Sequence, residues 1–300
     1  MTAFDPAEHP HRRYNPLRGE WVLVSPHRAK RPWQGERGSV ATAVPPRYDP
    51  ACYLCPGNTR ANGVNNPAYD GPFVFDNDFA ALLPDTPEPD PAGDPLFRAA
   101  GASGTSRVIC FSPDHARGLP LLSDVEIAAV VDCWCDQCAD LGQTYANVQL
   151  FENRGEMMGC SNPHPHGQIW ATRHIPAEIE CEDVNQRAWA GATPMLLELA
   201  DREAGGPRVV VEHRDWLAIV PYWASWPFET LLLPRFAVRR LLRWYEEGVP
   251  IERGIGSLST YLGHVKVSDT YWYLTAVPEL LAVAAARFEQ AVGCAQKEEA

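Results

Sequence analysis

Gly159-Cys160-Ser161-Asn162-Pro163-His164-Pro165-His166-Gly167-Gln168-Ile169-Trp170 is the stretch on which the reading of this chain turns. Pro163 and Pro165 bias the residues before them toward extended backbone. In an extended chain alternate side chains share a face, so His164, His166 and Gln168 project the same way. Two imidazoles so placed can divide the work. One can anchor a metal ion, while the next, fixed by its neighbour, meets a phosphorus atom. Gln168 then offers an N–H to a phosphoryl oxygen. A lone histidine is most often an ordinary polar strand residue, but His-Pro-His-x-Gln behind a Gly-Cys-Ser loop is far rarer.

Working outward, a metal at His164 needs further ligands. Cys52-Tyr-Leu-Cys55 is a chelating pair, since two thiolates three positions apart in a tight loop reach one tetrahedral ion. His115, at the end of Arg107-Val-Ile-Cys-Phe-Ser-Pro-Asp-His, and His164 are the candidates that complete the set. Cys133, Cys135 and Cys138 fall on a predicted helix and read as buried thiols. The nine cysteines are an odd count behind an N-terminus without an apolar run, which argues against a disulfide scaffold.

Composition agrees with a folded enzyme. Hydrophobic residues at 45% and charged residues at 21% describe a globular chain. A net charge of −12 disfavours a nucleic-acid partner. No apolar stretch reaches the ~20 residues of a membrane span, so a cytoplasmic location is expected. Short strands are predicted at 21–25, 73–75, 107–111, 148–151, 166–171, 207–211, 216–220 and 229–233. Ser123 and Glu126 form a capping-box pattern ahead of a long helix that ends near Gly142. A second helix is predicted over 193–205. Residues 1–20 read as irregular. Asp78-Phe-Ala-Ala-Leu-Leu-Pro84 matches Asp215-Trp-Leu-Ala-Ile-Val-Pro221 in residue class, a pattern that favours a duplicated unit with strands in both places.

These motifs, together with Arg28-Ala-Lys-Arg31, Phe75-Asp-Asn-Asp-Phe79, Phe151-Glu-Asn-Arg-Gly155 and Val220-Pro-Tyr-Trp-Ala-Ser-Trp-Pro-Phe-Glu-Thr230, resemble the galactose-1-phosphate uridylyltransferases of the histidine-triad superfamily. The resemblance covers about residues 4–234. It implies an α+β fold, a half-barrel of mostly antiparallel strands with outer helices. It implies zinc on Cys52, Cys55, His115 and His164, and His166 as the nucleophile. It implies a UDP-sugar site of Arg28, Arg31, Ala61, Asn77, Asp78, Asn153, Gly159, Cys160, Ser161 and Gln168. The implied reaction passes UMP from UDP-glucose to galactose 1-phosphate through a uridylyl-histidine, releasing glucose 1-phosphate and UDP-galactose. A homodimer is also implied.

Two departures stand beside the resemblance. The family's second metal site needs a Glu and three later histidines; Glu182 occupies the first position, but only His213 and His264 follow it, so that site is expected to be absent. Residues 236–300 resemble the end of a tyrosine recombinase (phage-type integrase), on Leu262-Gly-His264 and Tyr273 nine residues beyond. The chain is therefore expected to divide into 1–190, a truncated second transferase domain at 191–235, and a helical recombinase-like fragment at 236–300. On that division the transferase would turn over weakly. An inactive fusion relic that holds zinc and UDP-sugar remains the alternative, with a DNA strand-exchange protein third.

Overall fold

The computed structural model describes residues 3–30, 45–90, 94–155, 158–160, 162–190 and 193–235. Arg31, Ser161 and the tail from residue 236 onward, with its expected helices, His264 and Tyr273, lie outside the described residues. The chain divides into two units, residues 38–176 and residues 1–37 with 177–300. Every pair of named strands is antiparallel. Together with the helices this gives the α+β class expected from the sequence.

The unit of residues 38–176 is built on four strands: β3 (Phe73–Asp76), β4 (Gly104–Cys110), β5 (Asn147–Phe151) and β6 (His166–Thr172), in the order β3-β4-β6-β5. Residues opposite one another in an antiparallel pair share a face. Phe75 faces Val108, Val108 faces Gln168 and Gln168 faces Phe151, so these four form one row. Phe73, Cys110 and His166 form the next. The intervening residues Ile109, Ile169 and Ala171 point to the other face, where helix α1 (Asp124–Leu141) packs.

Helix α1 forms where its sequence directs. Ser123 accepts the Glu126 backbone N–H, and the Glu126 carboxylate accepts the Ser123 N–H, closing the expected capping box. A bidentate ion pair with Arg117 and the Ser123 contacts hold the Glu126 carboxyl down at about 2. Val130, Trp134, Cys138 and Leu141 recur at helical spacing, and Val130 and Leu141 enter the core with Trp134 packed against it. The expected burial holds for Cys138, whereas Cys133 and Cys135 are half-buried.

The other unit, residues 1–37 with 177–300, carries the hairpin of β1 (His11–Asn15) and β2 (Glu20–Val24), helices α2 (Ala177–Arg187) and α3 (Met195–Glu203), and a sheet of β7 (Val209–Glu212), β8 (Trp216–Ile219) and β9 (Leu231–Pro234). Ala200, Leu217, Ile219 and Leu233 make its core. Arg13 ties the hairpin to this sheet's loop by donating to the Tyr222 carbonyl. Among the described residues no helix is long and apolar enough to cross a membrane.

Three expectations need correction. Residues 11–15 are a strand, because the pairing partner 20–24 supplies the order that the polar string His-Arg-Arg-Tyr-Asn does not advertise. Helix α2 was not foreseen, since Ala177–Arg187 is charged and buries no residue fully. The proposed repeat also fails. Asp215–Pro221 contains β8, with Leu217 and Ile219 fully buried, but Asp78–Pro84 is a loop in which Phe79 and Leu83 are exposed.

Ile169 is fully buried between β4 and α1. Ile169→Ala is expected to destabilise this unit by about 2–5 kcal/mol, read as a lower urea midpoint with an unchanged slope.

Candidate functional site

The site occupies the face of the β3-β4-β6-β5 sheet opposite α1. Its metal-binding part begins with a loop. Asn58 donates to the carbonyls of Asp49 (2.9 Å) and Cys52 (2.7 Å), and Asn66 donates to those of Tyr53 (2.9 Å) and Cys55 (3.1 Å). Those amides fold the Cys52–Cys55 turn so that both sulfurs point inward. The four expected donors, Cys52, Cys55, His115 and His164, converge with all ligand atoms within 4.8 Å of one another, and all four residues are buried. Cys55 Sγ lies 3.5 Å from His115 Nδ1 and 3.5 Å from His164 Nδ1. The imidazoles meet edge to face at 5.2 Å.

A hydrogen bond fixes which nitrogen of the His164 ring faces the ligand cluster. His164 Nε2 lies 3.0 Å from the Ser112 carbonyl, which can only accept, so Nε2 carries the proton and Nδ1 turns its lone pair to the sulfurs. Burial pushes the His164 imidazole down to about 4 despite that carbonyl, so the ring is neutral at ordinary pH. Burial, with the neighbouring Cys52 adding, pushes the Cys55 thiol up to about 11. Cys110, beneath them, is pushed up to about 12, chiefly by burial. Two sulfurs and two imidazole nitrogens, buried and convergent, suit a tetrahedral metal ion.

His166 stands at the start of β6, two residues on. Its Nδ1–H donates to the His164 carbonyl at 2.7 Å, which leaves Nε2 with the lone pair. An open pocket of about 280 Å³ meets this ring, lined by Asn153, Gly159, Cys160, His166, Gly167 and Gln168. Gln168 accepts from the Trp170 indole through Oε1 at 3.1 Å, an arrangement that leaves its NH2 as the donor. Gly159 turns the pocket loop with φ +78°, a conformation that favours glycine. Gly167 is glycine for a different reason: a Cβ there would lie 2.9 Å from both the Phe111 ring and the Phe151 carbonyl.

The structure thus gathers the four metal donors, and gathers Asn153, Gly159, Cys160, His166 and Gln168 around one pocket. Other expected residues are not in that pocket's lining. Asn77 continues the β3 ladder, its N–H bonding the Ser106 carbonyl at 2.9 Å. The Asp78 side chain is 7% exposed and pairs with Arg60 at 3.3 Å. Ala61 is exposed in the loop after the metal turn, and Arg28 is exposed on a 3-10 turn of the other unit. Glu182 lies half-buried on α2, its carboxyl raised by burial against the opposing charge of Arg18.

Sequence reasoning missed the support. Asn162 is buried, contacts Cys52 Sγ at 3.6 Å and accepts the His164 N–H at 2.9 Å, and it stood in the quoted motif. Tyr69 donates to the Leu54 carbonyl at 2.6 Å and reaches His164. Ser112 acts through its carbonyl, for which no side-chain pattern exists.

With this geometry in place, the known proteins can be compared. Residues 2–176 match the family "Galactose-1-phosphate uridyl transferase, N-terminal domain", and residues 180–253 match its C-terminal domain. The chain belongs to the galactose-1-phosphate uridylyltransferase family. It is 57% identical over 251 residues to the galactose-1-phosphate uridylyltransferase of Haemophilus influenzae, covering 82% of this chain and 72% of that protein. It is 50% identical over 255 residues to the Rattus norvegicus enzyme, covering 84% of this chain and 66% of that one, a little less than two thirds of its length. A probable galactose-1-phosphate uridylyltransferase of Drosophila melanogaster is 41% identical over 95% of this chain and 89% of its own. Among solved structures, a uridylyltransferase superposes with a TM-score of 0.55 at 26% identity, covering 76% of this chain and 66% of that chain. An ADP-glucose phosphorylase from Arabidopsis thaliana shares the fold at a TM-score of 0.58 and 22% identity, over 76% and 69%.

These uridylyltransferase matches correct the reading of the tail. The C-terminal family match continues to residue 253, past the join expected after residue 235, and the Drosophila alignment takes in 95% of the chain. Residues 236–253 therefore go with the transferase. The tyrosine recombinase fragment has no support, because its helix-like run Phe236–Gly248 falls inside the transferase match; short apolar-basic helical patterns recur across unrelated folds.

Metal uptake at the four donors must expel a proton from the high-pKa Cys55 thiol, so affinity for zinc is expected to rise between pH 6 and pH 8. Competition against a calibrated chelator measures it; a flat profile would mean that the thiol is not a ligand.

Proposed function

We propose that the chain transfers UMP from UDP-glucose to galactose 1-phosphate through a covalent intermediate on His166, with zinc held by Cys52, Cys55, His115 and His164. The observation that carries this is the tautomer of His166. Its proton is committed to the His164 carbonyl, so Nε2 presents a lone pair to the pocket. A nucleophilic imidazole needs that state and no adjacent general base.

The steps follow from the residues. Nε2 attacks the α-phosphorus of UDP-glucose, the bond from phosphorus to the bridging oxygen breaks, and glucose 1-phosphate leaves with the electron pair. A phosphate monoester leaves without a general acid, which agrees with a pocket lining that holds no carboxylate among the described residues. The imidazole gains positive charge as the N–P bond forms. The His164 carbonyl, already 2.7 Å from Nδ1, stabilises that charge without reorganising. A phosphate oxygen of galactose 1-phosphate then attacks the same phosphorus, forms UDP-galactose and returns the free histidine.

The other residues bind and orient. Gln168 NH2 and the loop of Asn153, Gly159, Cys160 and Ser161 receive the phosphoryl oxygens. Arg28 and Arg31 suit phosphates, and Asn77 and Asp78 suit ribose hydroxyls, with Ala61 lining the same site. Zinc, where bound, supplies a cross-link between the Cys52–Cys55 turn, the His115 loop and the strand that begins at His166. All four of its positions are taken by protein, so it has none for substrate.

UDP-glucose is expected to add the mass of one UMP to the intact protein. His166→Gly should abolish the adduct while about one equivalent of zinc remains by elemental analysis. An adduct that survives the substitution would put the nucleophile elsewhere.

A second expected outcome separates the metal from the chemistry. Cys55→Ser should lose most of the zinc and lower the melting temperature, whereas His166→Gly should leave it near the unsubstituted value, as scanning calorimetry would show.

A further inference from the structure

Arg60 lies on the Phe75 side of this sheet, and none of the motifs singled it out. Its backbone is fixed in the loop after the Cys52–Cys55 turn, where the Arg60 N–H donates to the Val64 carbonyl at 2.9 Å and the Gly63 N–H donates to the Arg60 carbonyl at 3.0 Å. Its side chain leaves that loop and lies on the Phe75 ring, with the guanidinium carbon 4.3 Å from the ring centre. Cation–aromatic stacking of this kind fixes the plane of the guanidinium. Nη1 then reaches Asp78 at 3.3 Å.

This pair is unusual in what it leaves unmade. The Arg60 side chain is 11% exposed and that of Asp78 is 7% exposed. Yet Arg60 Nε is buried without a hydrogen bond, and Asp78 Oδ1 is met only by the single 3.3 Å contact with Arg60 Nη1 among the described residues. Burial of such atoms without partners is costly, and folded proteins rarely tolerate it. An ion pair serving only stability would close with a bidentate fork, as Arg117 does on Glu126. Arg60 instead touches Asp78 from one side, beside the row Phe75–Val108–Gln168, which places it two strands, roughly 10 Å, from Gln168.

We infer that Arg60 is a positioning residue: clamped on Phe75, it holds the Asp78 carboxylate in place to receive a ribose hydroxyl of the nucleotide. This rests on the reading of Asp78 as a ribose contact. The bound ribose would take the side of the carboxylate turned away from Arg60, since the ion pair engages Oδ1. Arg60 does not touch the reacting phosphorus, so its effect should fall on nucleotide recognition and spare the chemical step. Because Arg60 belongs to the loop that the metal donors pin, nucleotide recognition and metal loading meet in one segment.

The test uses the full zinc-loaded chain with UDP, 2′-deoxy-UDP and 3′-deoxy-UDP, compared by calorimetry. The unsubstituted protein should bind one of the deoxy nucleotides at least about ten-fold more weakly than UDP, the loss expected for a charged group left without its hydroxyl. Arg60→Met should weaken UDP binding by about ten-fold and bring the deoxy penalty to near unity. Arg60→Lys should recover part of it. In Asp78→Asn the further change Arg60→Met should have little effect on the penalty, since the two residues act together. With UDP-glucose, Arg60→Met should raise KM while kcat stays within about two-fold. Equal weakening of all three nucleotides would mark Arg60 as merely structural and overturn the inference. So would an unsubstituted protein that forms the His166 adduct yet binds all three alike. Should Arg60→Met fail to fold, Arg60→Gln and Arg60→Lys carry the same comparison. Failure of the His166 adduct in the unsubstituted chain is a separate result, and it would strike the transferase reading itself.

Discussion

His164 is asked to do two things at once, and the site depends on both. Its ring, held from behind by the Ser112 carbonyl, gives Nδ1 to the donor cluster. Its own carbonyl takes the proton of His166 Nδ1. A carbonyl is only as well placed as the residue that bears it. A metal ion bound at the cluster would therefore bear on the orientation of the His166 imidazole through a single residue. Asn162 adds to this by bonding the His164 N–H and contacting the Cys52 sulfur. A ligand, its backbone and one buried amide are enough to join a structural centre to a chemical one.

The cost of this arrangement is visible in the thiols. Cys55 and Cys110 sit in a dry pocket that pushes both well above the usual thiol range. Charge from a divalent cation reverses that preference, which is how burial and thiolate ligation coexist.

Much of the site was legible in the sequence, and for definite reasons. The chelating spacing of Cys52 and Cys55, and the alternation of His164, His166 and Gln168, are local rules that short-range geometry enforces. The capping box at Ser123 is another, and it appears with both of its hydrogen bonds. What could not be read depends on long-range pairing. The polar β1 strand is ordered by β2, and helix α2 has no fully buried residue to announce it. Asp78–Pro84 and Asp215–Pro221 match in residue class, but only the second finds strand partners on either side. The Ser112 carbonyl and the Arg60 stack on Phe75 leave no trace in residue pattern, because one is backbone and the other joins a loop residue to strand β3. The tail shows the opposite failure: the run over residues 236–248 resembled a recombinase helix, yet it falls within the transferase family match, which continues to residue 253.

Strand β6 separates two kinds of damage by parity. Its even-numbered residues His166, Gln168 and Trp170 lie on the reactive face, and its odd-numbered residues Gly167, Ile169 and Ala171 lie against α1 or a neighbouring backbone. Changes at residues 166–171 should therefore sort by whether the position number is even or odd, with buried Thr172 outside the rule. On one side they would yield well-folded protein that fails as a catalyst, and on the other protein that fails to accumulate. A small-molecule stabiliser could rescue only the second group, so the alternation of a single strand also decides which variants are open to that kind of treatment.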